Sequence, residues 1–339
     1  MSANQQIMFG GAARQQAVVF AANNSPYAIA YKWSSAGFGT KYADPAVMAG
    51  YTLGVAANAT GDTVAFACAF SPYIYAYPWS PATGFGTKYA DPATLPTGVG
   101  ERVVFHPSGT AVAVVHATSP TITVYPWSGS GFGAKYANPA TLPAGVSSRA
   151  VAFNPAGTVI AVGNIGSPFI YTYPWSGGFG TKYADPATLP LTSAESVAFN
   201  PAGTVIAVGF SGGAPYIHAY PWSAGFGTKY ADPATAPPNV QYAIRFTPDG
   251  NTLLCAGATT PYIHAYPWSA GFGTKYANPA TLPSSACEGM ALSADGRNVA
   301  VATSATPFAE AYPWSAGFGT KYADPATLPP NSLYDVTFI

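Results

Sequence analysis

The sequence predicts an all-β fold, a seven-bladed β-propeller with four antiparallel strands per blade. Three observations support this prediction: a tryptophan that recurs at a fixed period, strand-like alternation within each period, and a C-terminal segment that matches a strand missing from the first repeat. The spacing of about 47 residues between tryptophans is typical of propellers, in which each repeat is one small sheet. The tryptophans are Trp33, Trp79, Trp127, Trp175, Trp222, Trp268 and Trp314.

Each repeat contains four strand signals, as residues 195–235 illustrate. The segment ESVAFNPAGTVIAVG alternates, turns at Asn-Pro-Ala-Gly and continues as an apolar β-branched run, which predicts two strands joined by a tight turn. In PYIHAYPW the large aromatic side chains share one face, as in a third strand. The segment GTKYAD predicts a fourth strand that ends at Pro233. Because both faces of such a sheet are apolar, each sheet must pack between two neighbours.

The two ends of the sequence predict how the ring closes. The first repeat begins at AVVFAANN, which aligns with the second strand of other repeats, so its first strand is missing. The last residues, 332–339, read SLYDVTFI and align with the first-strand segment SAESVAFN. We therefore expect the C-terminal strand to complete the first blade. The chain would then be one propeller over residues 16–339, preceded by an N-terminal arm of residues 1–15.

The repeat resembles that of WD40-type propellers, which also have four strands per blade, a turn of the Pro-x-Gly type and a tryptophan that closes the third strand. It lacks the Gly-His and Trp-Asp dipeptides, so the structural hydrogen-bond network of that family is not expected here. The phrase GFGTKY, followed by Asp- or Asn-Pro-Ala, also resembles propeller proteins of tailed bacteriophages. That resemblance implies a component of a virion.

Composition limits the partners that we expect. Charged residues are 8% of the chain and the formal net charge is zero, so no field attracts nucleic acid. Cys68, Cys255 and Cys287 fit no metal or disulfide spacing and are expected to be buried free thiols. The sequence has no secretory signal and no apolar run long enough to enter a membrane. We expect a protein made in the host cytoplasm and located in the virion.

Two sets of repeated side chains invite a ligand role that we do not predict. One lysine per repeat occupies an equivalent position near the outer edge, where charge protects a strand from pairing with other molecules. His218, His264 and Glu310 occupy one slot of the third strand, with Tyr75 and Tyr171 in other repeats. Equivalent third strands of adjacent blades should lie roughly 13 Å apart, too far for one metal ion. Neither a metal nor another cofactor is expected.

A second ring of side chains is predicted at the mouth of the central channel. These residues lie four positions before the phenylalanine of each first strand or its equivalent. Glu101, Arg149 and Glu195 can pair across blades there, and a ligand or partner contact is the alternative interpretation. The ring consists of Leu53, Glu101, Arg149, Glu195, Tyr242, Glu288 and Tyr334.

The loops predict which face of the disc binds a partner. Connections between first and second strands, and between third and fourth, are nearly constant, whereas the other two sets of loops vary in length and character. Variation within one molecule indicates a binding face. Candidate contact residues are the mouth residues Glu101, Arg149, Glu195, Tyr242 and Glu288 and the loop or loop-flanking residues Asn23, Asn24, His116, Asn164 and Phe210.

The sequence contains no recognisable set of nucleophile, base and orienting group. The leading hypothesis is therefore a non-enzymatic structural or binding propeller, a phage tail, fibre or capsid-decoration protein. Its variable face would contact another virion protein or a host receptor. Two alternatives remain open: a lectin-like propeller that binds a glycan, and a propeller hydrolase or lyase with its site at the channel mouth.

Overall fold

The chain is all-β, as the sequence predicts. The computed structural model describes residues 16–339, and the predicted arm of residues 1–15 lies outside the described residues. Residues 16–339 form 24 strands, numbered β1 to β24 in chain order, and no helix. Nothing in this range could therefore cross a membrane as a helix.

The strands form seven antiparallel sheets within the described range. The first strands are β4 (Thr52–Ala57), β8 (Gly100–Phe105), β12 (Ser148–Phe153), β15 (Ala194–Phe199), β18 (Gln241–Phe246), β21 (Cys287–Leu292) and β24 (Leu333–Phe338). The second strands are β1 (Gln16–Ala22), β5 (Thr63–Cys68), β9 (Ala111–His116), β13 (Val159–Asn164), β16 (Val205–Phe210), β19 (Thr252–Gly257) and β22 (Asn298–Thr303). The third strands are β2 (Ala28–Ser34), β6 (Ile74–Ser80), β10 (Ile122–Ser128), β14 (Ile170–Pro174), β17 (Ile217–Pro221), β20 (Ile263–Pro267) and β23 (Ala309–Pro313).

The fourth strand is shorter than the sequence predicts. Three sheets have one, β3 (Gly37–Lys41), β7 (Gly84–Phe85) and β11 (Gly131–Phe132). In the other four sheets it is reduced to a single bridge, as between Trp222 and Phe226. The predicted strand GTKYAD contributes two backbone hydrogen bonds, for example from the Gly227 N–H to the Pro221 carbonyl at 2.8 Å and from the Tyr230 N–H to the Ala219 carbonyl at 2.9 Å. Glycine and proline on either side of this segment prevent a longer ladder.

The C-terminal strand pairs where the sequence predicts. β24 runs antiparallel to β1, with Val336 opposite Phe20. Reciprocal backbone hydrogen bonds of 2.7 and 2.9 Å join Ala17 to Ile339 and extend this ladder. β24 also packs against β4 and β21, the first strands of the two neighbouring sheets. The last segment of the chain is therefore in the same sheet as the first described strand.

The repeated phrase forms the contact between sheets. Each tryptophan packs edge-to-face on the phenylalanine of its own GFG segment, with ring centroids 4.9–5.1 Å apart. It also meets the KY tyrosine of the preceding sheet at 5.0–5.5 Å. Edge-to-face pairs contribute about 0.5–1.5 kcal/mol beyond buried area. The inter-sheet pairs are Tyr42–Trp79, Tyr89–Trp127, Tyr136–Trp175, Tyr183–Trp222, Tyr230–Trp268, Tyr276–Trp314 and Tyr322–Trp33.

The repeated lysine is held within its own turn. Its ammonium contacts the Asp or Asn three residues later, as Lys182 contacts Asp185 and Lys275 contacts Asn278. In four repeats it also donates to the carbonyl of the following tyrosine, at 3.2–3.4 Å. These lysines are consequently committed to local contacts.

Deletion of an aromatic ring from the contact between the first and last repeats tests whether this contact stabilises the fold as much as the equivalent contacts do. We expect Tyr322→Ala and Tyr230→Ala each to lower the free energy of unfolding by about 2 kcal/mol, because each deletes a half-buried ring from an equivalent tryptophan contact. Chemical denaturation measures both values. A near-zero effect for Tyr322→Ala alone would show that the first and last repeats are not in contact in solution.

Candidate functional site

A cavity of about 450 Å³ lies where the first strands meet. It extends from the start of these strands to the turns that follow β18 and β21, where Pro248 and Ser293 line it. Every first strand supplies at least one lining residue. One from each is Val55, Arg102, Ala150, Glu195, Tyr242, Ala291 and Asp335. The first strands of all seven sheets therefore contribute to one cavity.

A β-bulge occurs at the second residue of every first strand. The pairing register shifts there, so this residue has no partner on the second strand. Bulges re-aim side chains and are frequent beside functional sites. The seven bulged residues, which we call the mouth ring, are Leu53, Glu101, Arg149, Glu195, Tyr242, Glu288 and Tyr334. They are the residues that the sequence places at the channel mouth.

One ion pair joins neighbouring sheets in the mouth ring. Arg149 Nη1 donates to both carboxylate oxygens of Glu195, at 2.9 and 3.0 Å. Burial opposes the charge of Arg149, but the adjacent Glu195 carboxylate outweighs this effect and raises the pKa of the guanidinium. The Arg149 side chain is 47% exposed, so the pair contributes little to stability. The predicted pairing across blades is thus present for Arg149 and Glu195.

Two carboxyl groups of the mouth ring have no such partner. Neither Glu101 nor Glu288 forms a side-chain hydrogen bond or ion pair with another residue in the range 16–339. Burial raises the pKa of both, and the charge of Glu195 adds to this. Arg102 opposes the shift in both cases, and Arg149 does so at Glu101. Both carboxyl groups are therefore more readily protonated than an ordinary glutamate.

Arg102 connects three first strands just behind the mouth ring. Its Nη1 donates to the carbonyls of Leu53 on β4, at 2.5 Å, and Glu101 on β8, at 3.0 Å. Its Nη2 donates to the carbonyl of Glu288 on β21, at 3.4 Å. The guanidinium therefore extends between the backbones that carry the two free carboxyl groups. It supplies fixed positive charge at this place.

Two further charged residues, Asp335 and Arg245, line the cavity. The buried Asp335 carboxylate accepts from the N–H groups of Val55, at 3.1 Å, and Val336, at 2.9 Å. Burial lowers the pKa of Arg245, and Asp335 partly offsets the shift. Sequence reasoning missed Arg102, Arg245 and Asp335. An alignment of the first strands would have revealed these charged residues, because most other repeats have Gly, Ala or Ser at the equivalent positions.

The structure separates the predicted loop candidates into two groups. His116 is fully buried and bonds to Thr123 Oγ1 at 3.0 Å. Asn164 is fully buried and accepts from two backbone N–H groups, and Phe210 packs its buried ring on His218 at 4.8 Å. These three side chains stabilise the fold and are not available to a partner, contrary to the prediction. Asn23 is half-buried and Asn24 is exposed.

The third-strand position shared by His218, His264 and Glu310 is buried. Burial lowers the pKa of His218 and His264 to about 4, and the neighbouring lysines contribute to this. The buried Glu310 forms an ion pair of 3.2 Å with Lys321. Within residues 16–339, no group of three His, Cys, Asp or Glu side chains could hold a metal ion. The three cysteines are buried free thiols, as expected.

Comparisons with known proteins identify the fold. No family model and no curated protein matches the chain. A "putative 6-phosphogluconolactonase" from Bacteroides fragilis matches with a TM-score of 0.77 at 13% identity, over 98% of this chain and 100% of that one. A protein of the same name from Bacteroides uniformis gives 0.72 and 14%, and the periplasmic gluconolactonase of Pseudomonas aeruginosa gives 0.71 and 12%. Each of these two covers 96% of this chain and 99% of its own. The chain has a β-propeller fold.

These matches correct the functional prediction. The leading hypothesis was a non-enzymatic phage virion protein, and it is wrong, because the similar structures bear the names of bacterial lactonases, which are hydrolases. Nothing in the comparisons points to WD40 repeats or to a phage origin. The repeated phrase on which the phage resemblance rests forms the packing between sheets.

The unpaired carboxyl groups predict a pH dependence of stability. The pKa of Glu288 is higher in the folded chain than its ordinary value of 4.5, so the folded state binds more protons than the unfolded state and loses stability as pH rises above this value. We expect Glu288→Gln, and likewise Glu101→Gln, to gain stability relative to the parent between about pH 5 and about pH 8. Denaturation at both pH values measures the gain.

The matched control for this experiment is Asp185→Asn, which changes a carboxyl group paired with Lys182 at the outer edge. It should show no gain with rising pH. Equal pH profiles for Glu288→Gln and the parent would mean that the carboxyl group is as well solvated in the folded chain as in the unfolded one.

Proposed function

We propose that the chain is a hydrolase that opens a cyclic sugar ester, an aldonolactone, at the mouth ring. One observation carries the proposal: two unpaired carboxyl groups with raised pKa belong to Glu101 and Glu288, whose backbone carbonyls both bind the guanidinium of Arg102, a residue that lines the central cavity. Pairs of titratable groups in a cleft are typical of general acid–base sites. The names of the similar structures, a gluconolactonase among them, support the substrate class.

The proposal includes a closed ring of seven blades. Contacts between consecutive first strands run from β24 through β4, β8, β12, β15, β18 and β21 back to β24. The Tyr322–Trp33 contact joins the first and last repeats in the same way as the other six tyrosine–tryptophan pairs join neighbouring sheets. In this arrangement β24 completes the first blade and holds both chain ends in one sheet. A closed ring would keep the mouth residues of seven separate strands at fixed positions.

The surroundings of the two carboxyl groups assign them different roles. Arg102 and Arg149 both favour the charged form of Glu101, whereas only Arg102 favours that of Glu288. Different environments of this kind separate the acid from the base in hydrolases. We assign Glu101 as the general base and Glu288 as the general acid.

The reaction then needs only water and the lactone. The oxygen of a water molecule bonds to the lactone carbonyl carbon while its proton passes to the Glu101 carboxylate. The guanidinium of Arg102 lies where it can stabilise the negative charge that develops on the carbonyl oxygen. When the ring C–O bond breaks, Glu288 donates its proton to the departing ring oxygen. The product is the open-chain hydroxy acid, and proton exchange with solvent restores both carboxyl groups.

Substitution of the two carboxyl groups tests this function. We expect the parent to hydrolyse glucono-1,5-lactone faster than the spontaneous reaction, with a bell-shaped pH profile. Glu101→Gln and Glu288→Gln should each lower kcat/KM by about a hundredfold or more, because each removes one proton-transfer group. Glu101→Gln should also remove the acidic limb of the profile, and Glu288→Gln the alkaline limb. An indicator assay of acid release measures all three enzymes.

Asp185→Asn serves as the control and should retain the parental rate, because Asp185 belongs to the outer edge. Parental activity in both glutamine variants would rule out the mouth ring as the catalytic site. A parent enzyme without activity on any aldonolactone would refute the proposed function itself.

A further inference from the structure

We propose a subsite beside the mouth ring for a second sugar ring, so that the substrate is a glycosylated aldonolactone, not a phosphorylated one. This inference rests on the proposed function. Three aromatic side chains form the subsite: Tyr334 of the mouth ring, Tyr51 and Phe70. Their rings form a continuous path from the mouth to the rim of the variable face.

The geometry of the path is that of an exposed aromatic surface. The rings of Tyr334 and Tyr51 have centroids 6.4 Å apart, and those of Tyr51 and Phe70 meet edge-to-face at 5.8 Å. Tyr334 and Tyr51 are half-buried, and Phe70 is 53% exposed. The Ala69 N–H donates to the Tyr51 carbonyl at 3.0 Å, which fixes the Phe70 loop against the residue that precedes β4.

The fold does not need aromatic residues at these places. In this sheet the Ala69 N–H bonds to the carbonyl of Tyr51. In the other six sheets the equivalent hydrogen bond is accepted by the carbonyl of a small or β-branched residue. These residues are Val99, Ser147, Ser193, Val240, Ala286 and Ser332. The loop position of Phe70 is likewise small or polar elsewhere. Its equivalents are Asn24, Thr118, Gly166, Gly213, Thr259 and Ala305.

Two aromatic residues thus replace small ones in the same sheet and contact each other there. A large, half-exposed apolar ring contributes little to the core, so folding alone does not account for the pair. Tyr51 lies beside the mouth residue Tyr334 and Phe70 beside Tyr51. Burial raises the pKa of Tyr334, and the proximity of Tyr51 and Glu288 adds to this. The pair therefore extends the proposed site in one direction, from the carboxyl groups to the rim.

The charges at the mouth favour a neutral extension of the substrate over a phosphate. The mouth ring carries three carboxyl groups, Glu101, Glu195 and Glu288, and one guanidinium, Arg149, which is paired with Glu195. Arg102 is bound to three backbone carbonyls. Apart from Arg102, which the proposed reaction uses at the lactone carbonyl, the described mouth residues offer no unpaired cation to a phosphate dianion, whereas aromatic rings pack against the C–H face of a sugar.

The experiment compares three lactones with the parent and with Phe70→Ala. We expect the parent to hydrolyse cellobiono-1,5-lactone with about a fivefold or higher kcat/KM than glucono-1,5-lactone, the gain being that of one aromatic contact. The 6-phosphorylated lactone should be the poorest substrate. Phe70→Ala should abolish the preference for the disaccharide and leave glucono-1,5-lactone unchanged, and Phe70→Tyr should retain the preference.

Leu191→Ala is the matched control, because Leu191 is a 49% exposed apolar residue of another loop on the same face. It should not change the preference. No preference for the disaccharide in the parent, or the same preference in Phe70→Ala, would overturn the subsite while lactone hydrolysis stands.

Binding separates failure of the subsite from failure of the proposed function. If no lactone is hydrolysed, cellobiose binding to the parent and to Phe70→Ala is measured by calorimetry. Binding that Phe70→Ala loses would support the sugar subsite, and absence of binding to the parent would overturn it.

Discussion

The contact between a tyrosine of one sheet and the tryptophan of the next is the interaction on which the rest of the structure depends. Each sheet is apolar on both faces and cannot fold alone, so it is stable only between two neighbours. The Tyr–Trp contact recurs seven times with centroids 5.0–5.5 Å apart, including the junction of the first and last repeats. It explains why the chain repeats one phrase without any catalytic residue in it.

This constraint leaves other parts of the repeat free to diverge. Every first strand bears a bulge at its second residue, whatever that residue is, because the backbone arrangement is common to all sheets. The fold thus supplies seven equivalent side-chain positions, which the sequence fills with carboxyl, guanidinium, aromatic and aliphatic groups, and two of these residues, Glu195 and Tyr242, line the cavity. The proposed chemistry belongs to these seven positions and to Arg102 behind them.

Much of the fold follows from the sequence because periodicity depends on local patterns. The seven repeats, the strand β24 and the mouth ring all follow from aligned segments. The short fourth strand was not predictable, since the alternation in GTKYAD does not reveal that flanking Gly and Pro remove the ladder. The contact of Arg102 with Glu288 was also out of reach, because it joins residues far apart in sequence. The burial of His116 and Asn164 depends on the conformation of the adjacent loops, which cannot be predicted from loop sequences that differ between repeats.

A crystal structure with the lactam analogue of glucono-1,5-lactone would locate the catalytic site, because a lactam keeps the ring and carbonyl but resists hydrolysis. We expect the analogue at the mouth ring, with its carbonyl oxygen near the Arg102 guanidinium and the carboxyl groups of Glu101 and Glu288 on opposite sides of the carbonyl carbon. An analogue bound elsewhere on the propeller, with these carboxyl groups facing only water, would contradict it.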